Sequence, residues 1–434
     1  MINNDLTITK EVNQEEDVFF YLISYNMQKE CILYEIRGKA MIDREIEEKL
    51  LKYQAQFPVV ALLGPRQSGK TTISKKFFKN HLYVSLENLD TRLSALSDPR
   101  QFLASFKNQA GVILDEIQEV PILLSYMQGI VDQEYRPGFF VITGSQNFLL
   151  HEKINQTLAG RIGILTLLPL SIFELQKSSY LPSSLNQILV KGFYPRPYVQ
   201  PIDYQDWFFN YISTYVEKDV RQVLKVQDIV TFQRFIKVCA ARVGSILNYA
   251  DLARDCDISL NTAKSWISIL ESSYIIKLLY PYHKNFNKRV IKSPKLYFVD
   301  TGLVCALLGI KTEDHLDLHP MKGHIFESMI VTEFFKYGFN HGLNISLYFW
   351  RDVQGHEIDL VLEKTFFDLI PIEIKSRMTL STDFFKGLKD WQKITSSNTQ
   401  KNYVVYAGND QINHSDGLVI SWKDLHHLHN LIYT

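Results

Sequence analysis

The sequence predicts a multidomain α/β chain that opens on a parallel sheet, and three observations predict it. The 434 residues amount to about three domains of ordinary size. From Met41 to about Leu168 short β-like runs alternate with helical stretches, the pattern of parallel strands joined by crossover helices. Beyond Gly323 a helical run is followed by three strand-like runs, a second α/β pattern.

Taken in order, residues 1–40 show no sustained period and read as an N-terminal extension, with Met41 the candidate native start. MIDREIEEKL then reads as a charged amphipathic helix. VVALLG, HLYVSL, GVILDE, FFVITG and RIGILTLL are the strands of a core at 41–170. Residues 171–228, with DWFFNYISTYVEKDVRQVL, are helical and aromatic and form a lid. Residues 229–300 carry further helices and then two β-like runs, YIIKLLYPY and PKLYFVD, around a basic turn. Residues 301–434 hold FESMIVTEFFKYG and the strands SLYFWRD, EIDLVLE and LIPIEIKS.

Composition excludes several classes. Hydrophobic residues at 46% and charged ones at 22% exclude a disordered, collagenous or coiled-coil chain. Lys+Arg and Asp+Glu balance at 47 each, so any binding of nucleic acid must come from a local patch. Cys31, Cys239, Cys256 and Cys305 form no CxxC pair, which excludes a thiolate zinc site and suits a reducing cytosol. No apolar run approaches the ~18 residues of a membrane span. A cytoplasmic protein with no membrane partner is expected.

Gly64-Pro65-Arg66-Gln67-Ser68-Gly69-Lys70-Thr71 fits GxxxxGK(S/T) and lies between the strand VVALL and the helix TTISKKFF. Glycines let backbone N–H groups curl around phosphates, and the helix N-terminus adds partial positive charge. Lys70 is expected to reach the terminal phosphates and Thr71 to offer its hydroxyl to Mg²⁺, so Gly64 to Thr72 is the expected ATP site. The strand GVILD ends in Asp115, suited to hold Mg²⁺ through water, and Glu116, suited to orient the attacking water. The next strand ends in Thr143, Ser145 and Asn147, which suit either γ-phosphate sensing or a simple turn. Arg161 is the candidate arginine finger or sensor, with a surface salt bridge as the alternative.

GPRQSGKTT, VILDEIQEVP, TGSQ, LAGR and TYVEKDVR resemble the bacterial and archaeal AAA-type ATPases that carry a C-terminal nuclease-like domain. The resemblance covers most of residues 41–434, and GFYP at 192–195 is similar to the family's Gly-aromatic-Pro turn, although Lys191 replaces one of its paired glycines. It implies a P-loop NTPase sheet with ATP and Mg²⁺ as cofactors.

Between Asn248 and Ser273 two short helices flank a DIS turn with Ser259 as N-cap. Leu260, Ala263, Ile267 and Leu270 share one face, with Asn261, Lys264 and Ser268 outward, the layout of a helix-turn-helix. Lys277, His283, Lys284, Lys288, Arg289, Lys292 and Lys295 follow with no acidic residue before Asp300. A winged helix over 248–299 with DNA as ligand is expected, with a rigid lid or protein-docking module as the alternative. A homo-oligomer or protein partner is compatible with the sequence.

In EIDLVLE, alternation sets Asp359 opposite Ile358 and Leu360, and in PIEIKS it sets Glu373 and Lys375 on one face. Glu327 on the preceding helix completes the set. The pattern resembles the PD-(D/E)xK fold of restriction endonucleases, which implies that Asp359 and Glu373 hold Mg²⁺ and Lys375 assists the attacking water. The alternatives are a solvated strand edge or a scaffold that keeps the shape without the reaction.

Overall fold

The computed structural model describes residues 41–145, 154, 156–215, 229–282, 292–365, 368–395 and 402–433. Ile42–Thr434 forms one compact unit. After helix α1 (Glu47–Gln56) come β1 (Val59–Leu63), α2 (Lys70–Phe77), β2 (Leu82–Ser85), β3 (Val112–Asp115), β4 (Phe140–Gly144) and β5 (Ile162–Thr166). These strands build a sheet in the order β2-β3-β4-β1-β5, and every neighbouring pair is parallel.

Strands this apolar are stable only when both faces are covered, and alternation divides their side chains between two cores. Val59, Ala61 and Leu63 join Phe140, Ile142, Val112 and Leu114 on one face. Val60 and Leu62 join Val141, Ile113, Leu50 of α1 and its N-cap Ile46 on the other. With all strands parallel, their C-terminal ends share one edge, and there the loops after β1, β3 and β4 meet.

Short helices at Ile172–Lys177, Leu185–Lys191 and Arg196–Val199 lead to α3 (Tyr204–Tyr215). Beyond Ile229–Ala240, α4 (Tyr249–Cys256) and α5 (Leu260–Ser272) are joined by a tight turn. Asn248 and Ser259 cap them by accepting hydrogen bonds from first-turn N–H groups, and Asp257 adopts the left-handed conformation that ends α4. A two-stranded antiparallel ribbon follows, β6 (Ile276–Leu279) and β7 (Lys295–Phe298).

α6 (Lys322–His341), β8 (Ser346–Arg351), β9 (Glu357–Thr365), β10 (Asp368–Lys375), α7 (Lys386–Thr395), β11 (Tyr403–Tyr406), β12 (Ile412–His414) and β13 (Gly417–Ser421) form the C-terminal region. Its sheet order is β12-β13-β11-β10-β9-β8. β8, β9 and β10 run antiparallel, and α7 returns the chain to β11 parallel to β10. One apolar core runs from Leu170 through Phe208, Phe235, Ile267 and Phe298 to Phe326, Ile372 and Ile432.

Two expectations are corrected. Leu260 belongs to the exposed first turn of α5, while Trp266, packed edge-on against Phe232 and Phe235, fills the inward face. The ribbon is less basic on its surface than its sequence: Lys295 is buried, and Lys277 lies near the rings of Tyr274, Phe335 and Phe339. His283, Lys284, Lys288 and Arg289 lie outside the described residues.

Candidate active site

The loop after β1 has its shape because two glycines stand where no other residue fits. Gly64 has φ +150°, and a Cβ there would lie 2.2 Å from the carbonyl oxygen of Leu167. Gly69, φ +101°, delivers the chain to the N-terminus of α2. Gln67 between them is also left-handed. Lys70 is 4% exposed, and its ammonium donates to the carbonyls of Gly64 (2.9 Å) and Pro65 (2.8 Å). Ser68 is fully buried, Arg66 stands 3.9 Å from Glu87, and Thr71 and Thr72 occupy the first turn of α2.

β3 carries Asp115 to the same edge. The Thr71 hydroxyl donates to its two carboxylate oxygens at 3.2 and 3.1 Å, the Tyr83 hydroxyl donates at 2.6 Å, and the Thr143 hydroxyl donates as well. Glu116 follows in the left-handed region, φ 59°, which turns its side chain back over the strand ends. Its carboxylate accepts from the Gln118 amide and the Ser145 N–H (3.4 Å). Burial pushes the Glu116 carboxyl up, but the charge of Lys70, the Gln118 hydrogen bond and Arg66 outweigh it and hold the group below its usual value. Glu116 is therefore ionised at neutral pH, as an acceptor that orients water must be. Thr71 and Asp115 fit a magnesium site in donor chemistry, since both offer hard oxygens beside the loop. Thr143 and Ser145 bond these carboxylates; Asn147 lies outside the described residues.

Two residues at this edge escaped the sequence reading. Arg44, 8% exposed, donates to the carbonyl of Ser68 (2.8 Å) inside the loop, to the carbonyl of Leu168 (2.7 Å) and to Glu174 (2.9 Å). The Trp207 indole on α3 donates to the Gln67 side chain at 3.0 Å. In the sequence Arg44 looked like one more charge on a solvated helix face, and its signal was only its place between Ile42 and Ile46, both buried.

Arg161 is not brought to this edge. It precedes β5, its carbonyl accepts from Val59 N–H at the start of β1, and its guanidinium pairs with Asp132, with Nη2 at 3.0 Å. The loop begins after Leu63, at the other end of that strand, so within one chain Arg161 cannot touch a phosphate bound there.

In the C-terminal region, Asp359 and Glu373 stand on adjacent strands. Asp359 accepts from the Ile374 N–H at 2.8 Å, and Lys375 pairs with Glu373 and lies 3.8 Å from Asp359. Burial and the Asp359 charge push the Glu373 carboxyl well up despite Lys375. Gly387, in the first turn of α7, makes room for Glu373, whose Oε1 would lie 2.0 Å from a Cβ there. Glu327 has partners of its own: it accepts from Lys295 at 2.9 Å and from the Tyr297 hydroxyl at 2.5 Å. Asp359 and Glu373, the expected metal pair, thus stand together with Lys375, while Glu327 carries its own hydrogen bonds from Lys295 and Tyr297. No three His, Cys, Asp or Glu side chains are placed to hold a metal among the described residues.

A family model described as an AAA domain matches residues 56–176, the parallel sheet and its loop. The loop and its sheet thus resemble those of an AAA domain. Two further models, of domains of unknown function, match residues 182–314 (DUF8612) and 322–425 (DUF4143). Two curated relatives, the uncharacterized proteins Rv2008c of Mycobacterium tuberculosis and Mb2031c of Mycobacterium bovis, are each 29% identical over 337 residues, 77% of this chain and 72% of theirs. Among solved structures, the Walker-type ATPase PABY2304 of Pyrococcus abyssi is 16% identical and covers 62% of this chain and 96% of its own, with a TM-score of 0.42. The STAND protein PH0952 of Pyrococcus horikoshii, which has a tetratricopeptide repeat sensor, is 13% identical, covering 68% of this chain and 50% of its own at a TM-score of 0.26. Among the described residues no helix is long and apolar enough to cross a membrane.

Proposed function

We propose that the AAA domain binds and hydrolyses Mg-ATP and couples turnover to binding of duplex DNA through 248–299. The observation that carries this reading is the convergence, at one sheet edge, of the buried Lys70 with the Thr71–Asp115 pair and an ionised Glu116. Lys70 would exchange its two loop carbonyls for β- and γ-phosphate oxygens, Thr71 and Asp115 would hold the magnesium ion, and Glu116 would orient the attacking water. Magnesium supplies charge neutralisation at the phosphates when bound. Arg161 could act as a finger only on the loop of a second copy.

The DNA reading is supported by α5, which carries Asn261, Lys264 and Ser268 on its exposed face beside a two-stranded ribbon. The order of α6, three antiparallel strands, α7 and a parallel strand supports a restriction-endonuclease-like reading of the C-terminal region. Under that reading Asp359, Glu373 and Lys375 would cut DNA with Mg²⁺. A second reading, in which the region is a non-cutting scaffold for an ATP-driven switch, is favoured by the engagement of Glu327 with Lys295.

The test is duplex DNA binding by the full chain at several salt concentrations, with and without ATP, on wild type and Lys70→Ala. Affinity that falls steeply with salt and responds to ATP only in the wild type is expected. Salt-independent or absent DNA binding would overturn the DNA part, and an ATP response that survives Lys70→Ala would overturn the site. Plasmid cleavage on wild type and Asp359→Ala separates the two C-terminal readings.

A further inference from the structure

Lys295 opens β7, where sequence alone suggested a solvent-facing wing lysine. Strand alternation places Lys295 and Tyr297 on one face, and both reach Glu327 on α6. The lysine is 3% exposed, and its ammonium also pairs with Glu357 on β9 at 2.5 Å. Glu357 is shared with Arg351 at 3.1 Å. Asp359 lies two residues along β9 from Glu357, and the paired Lys375 and Glu373 follow on β10. Four carboxylates from α6, β9 and β10 thus share three cations, Lys295, Arg351 and Lys375. A cavity of about 350 Å³, lined by Glu327, His324, Lys375, Ser376 and Arg377, opens beside Glu327 and gives solvent an approach.

A buried ammonium is stable only if its partners offset the loss of hydration, and here two carboxylates do so directly. Removing the ammonium would leave Glu327 with the Tyr297 hydroxyl and the His324 ring and Glu357 with Arg351 alone, beside the charge of Asp359, an excess of negative charge that attracts any hard cation able to enter. We propose that Lys295 is the resident cation of this cluster: β7 supplies the positive charge that a divalent ion would otherwise bring, and such an ion enters only when the ammonium is withdrawn. The inference deepens the scaffold reading of the C-terminal region. It is independent of the ATP reading, because its test contains no nucleotide.

The experiment is a Mn²⁺ titration of the nucleotide-free full chain carrying Lys70→Ala, followed by the electron paramagnetic resonance of free Mn²⁺. Adding Lys295→Gln should tighten binding of one Mn²⁺ per chain by at least about tenfold, and further adding Asp359→Asn should abolish the gain. Parent protein that binds one Mn²⁺ as tightly, in an Asp359-dependent way, would overturn the proposal. So would a folded Lys295→Gln protein with no gain, the result expected of a purely structural ion pair. If Lys295→Gln does not fold, the charge-balanced pair Lys295→Gln and Glu327→Gln should recover folding by circular dichroism without Mn²⁺ binding; failure to recover would also overturn it.

Discussion

Arg44 shows what a single side chain decides in this molecule. Its guanidinium spends its donors on Ser68, Leu168 and Glu174, so the loop, the segment after β5 and the helix Ile172–Lys177 are fixed to one another. Glu174 also completes a capping box with Ser171 at the start of that helix. Beside it, Glu45 accepts from the Ser171 hydroxyl at 2.6 Å and the Asn340 amide at 3.3 Å. Burial first, and then repulsion from Glu174, push its carboxyl up to about 7; Glu333 adds to the rise, and the His426 ring stands 3.8 Å away. A carboxyl raised on folding favours the native state while protonated, so that contribution is complete below about pH 4.5 and is lost as pH rises through about 7. Glu45→Gln is therefore expected to raise the melting temperature relative to wild type at pH 8, by about 1–3 kcal/mol in stability, with the difference vanishing near pH 4.5. Thermal melts at the two pH values check it, and an equal effect at both would contradict it.

At the scale of elements, the parallel strands were legible because their apolar runs are short and end in the residues that a loop needs. Asp115 was legible for the same reason, as the polar end of a strand with four buried residues. What was not legible is partner choice across distant segments. Lys295 reads as one more lysine in a basic stretch, and only the pairing of β7 with β6 and its packing against α6 turn it inward. Arg161 sits in a motif-like LAGR, yet its position before rather than after β5 sends it to the wrong end of the sheet.

α3 offers a test at this scale. Its Trp207 is stacked on Tyr211 and tilted on Tyr194 while donating to Gln67 in the loop. Trp207→Phe keeps the aromatic packing and removes the hydrogen bond, worth about 1 kcal/mol. The expected outcome is a shift of a fewfold in nucleotide affinity with almost no change in melting temperature; a large loss of stability with unchanged affinity would make the contact structural only.

For the whole molecule, the decisive feature is how the apolar cores are divided. The AAA sheet has two cores of its own, one per face. A third runs from Leu170 to Ile432 and holds the helical segment, the α4–α5 pair and one face of the C-terminal sheet in one continuous packing, while the other face of that sheet packs with α7 in a core of its own around Trp350, Val361 and Trp391. Phe326, fully buried on α6, lies within the third core. Phe326→Ala should cost about 3–5 kcal/mol and loosen α5 and β10 together. Hydrogen exchange resolved by peptide checks this, and loss of protection confined to the C-terminal sheet would contradict a shared core.

The central claim is that Lys70, Thr71, Asp115 and Glu116 form a working ATP site, and the most direct measurement is nucleotide affinity beside turnover for Glu116→Gln. The substitution keeps size and removes the charge that orients water. Affinity for Mg-ATP should stay within a fewfold of wild type while hydrolysis falls by about a hundredfold or more. Hydrolysis at the wild-type rate, or affinity and rate lost in equal measure, would contradict the assignment.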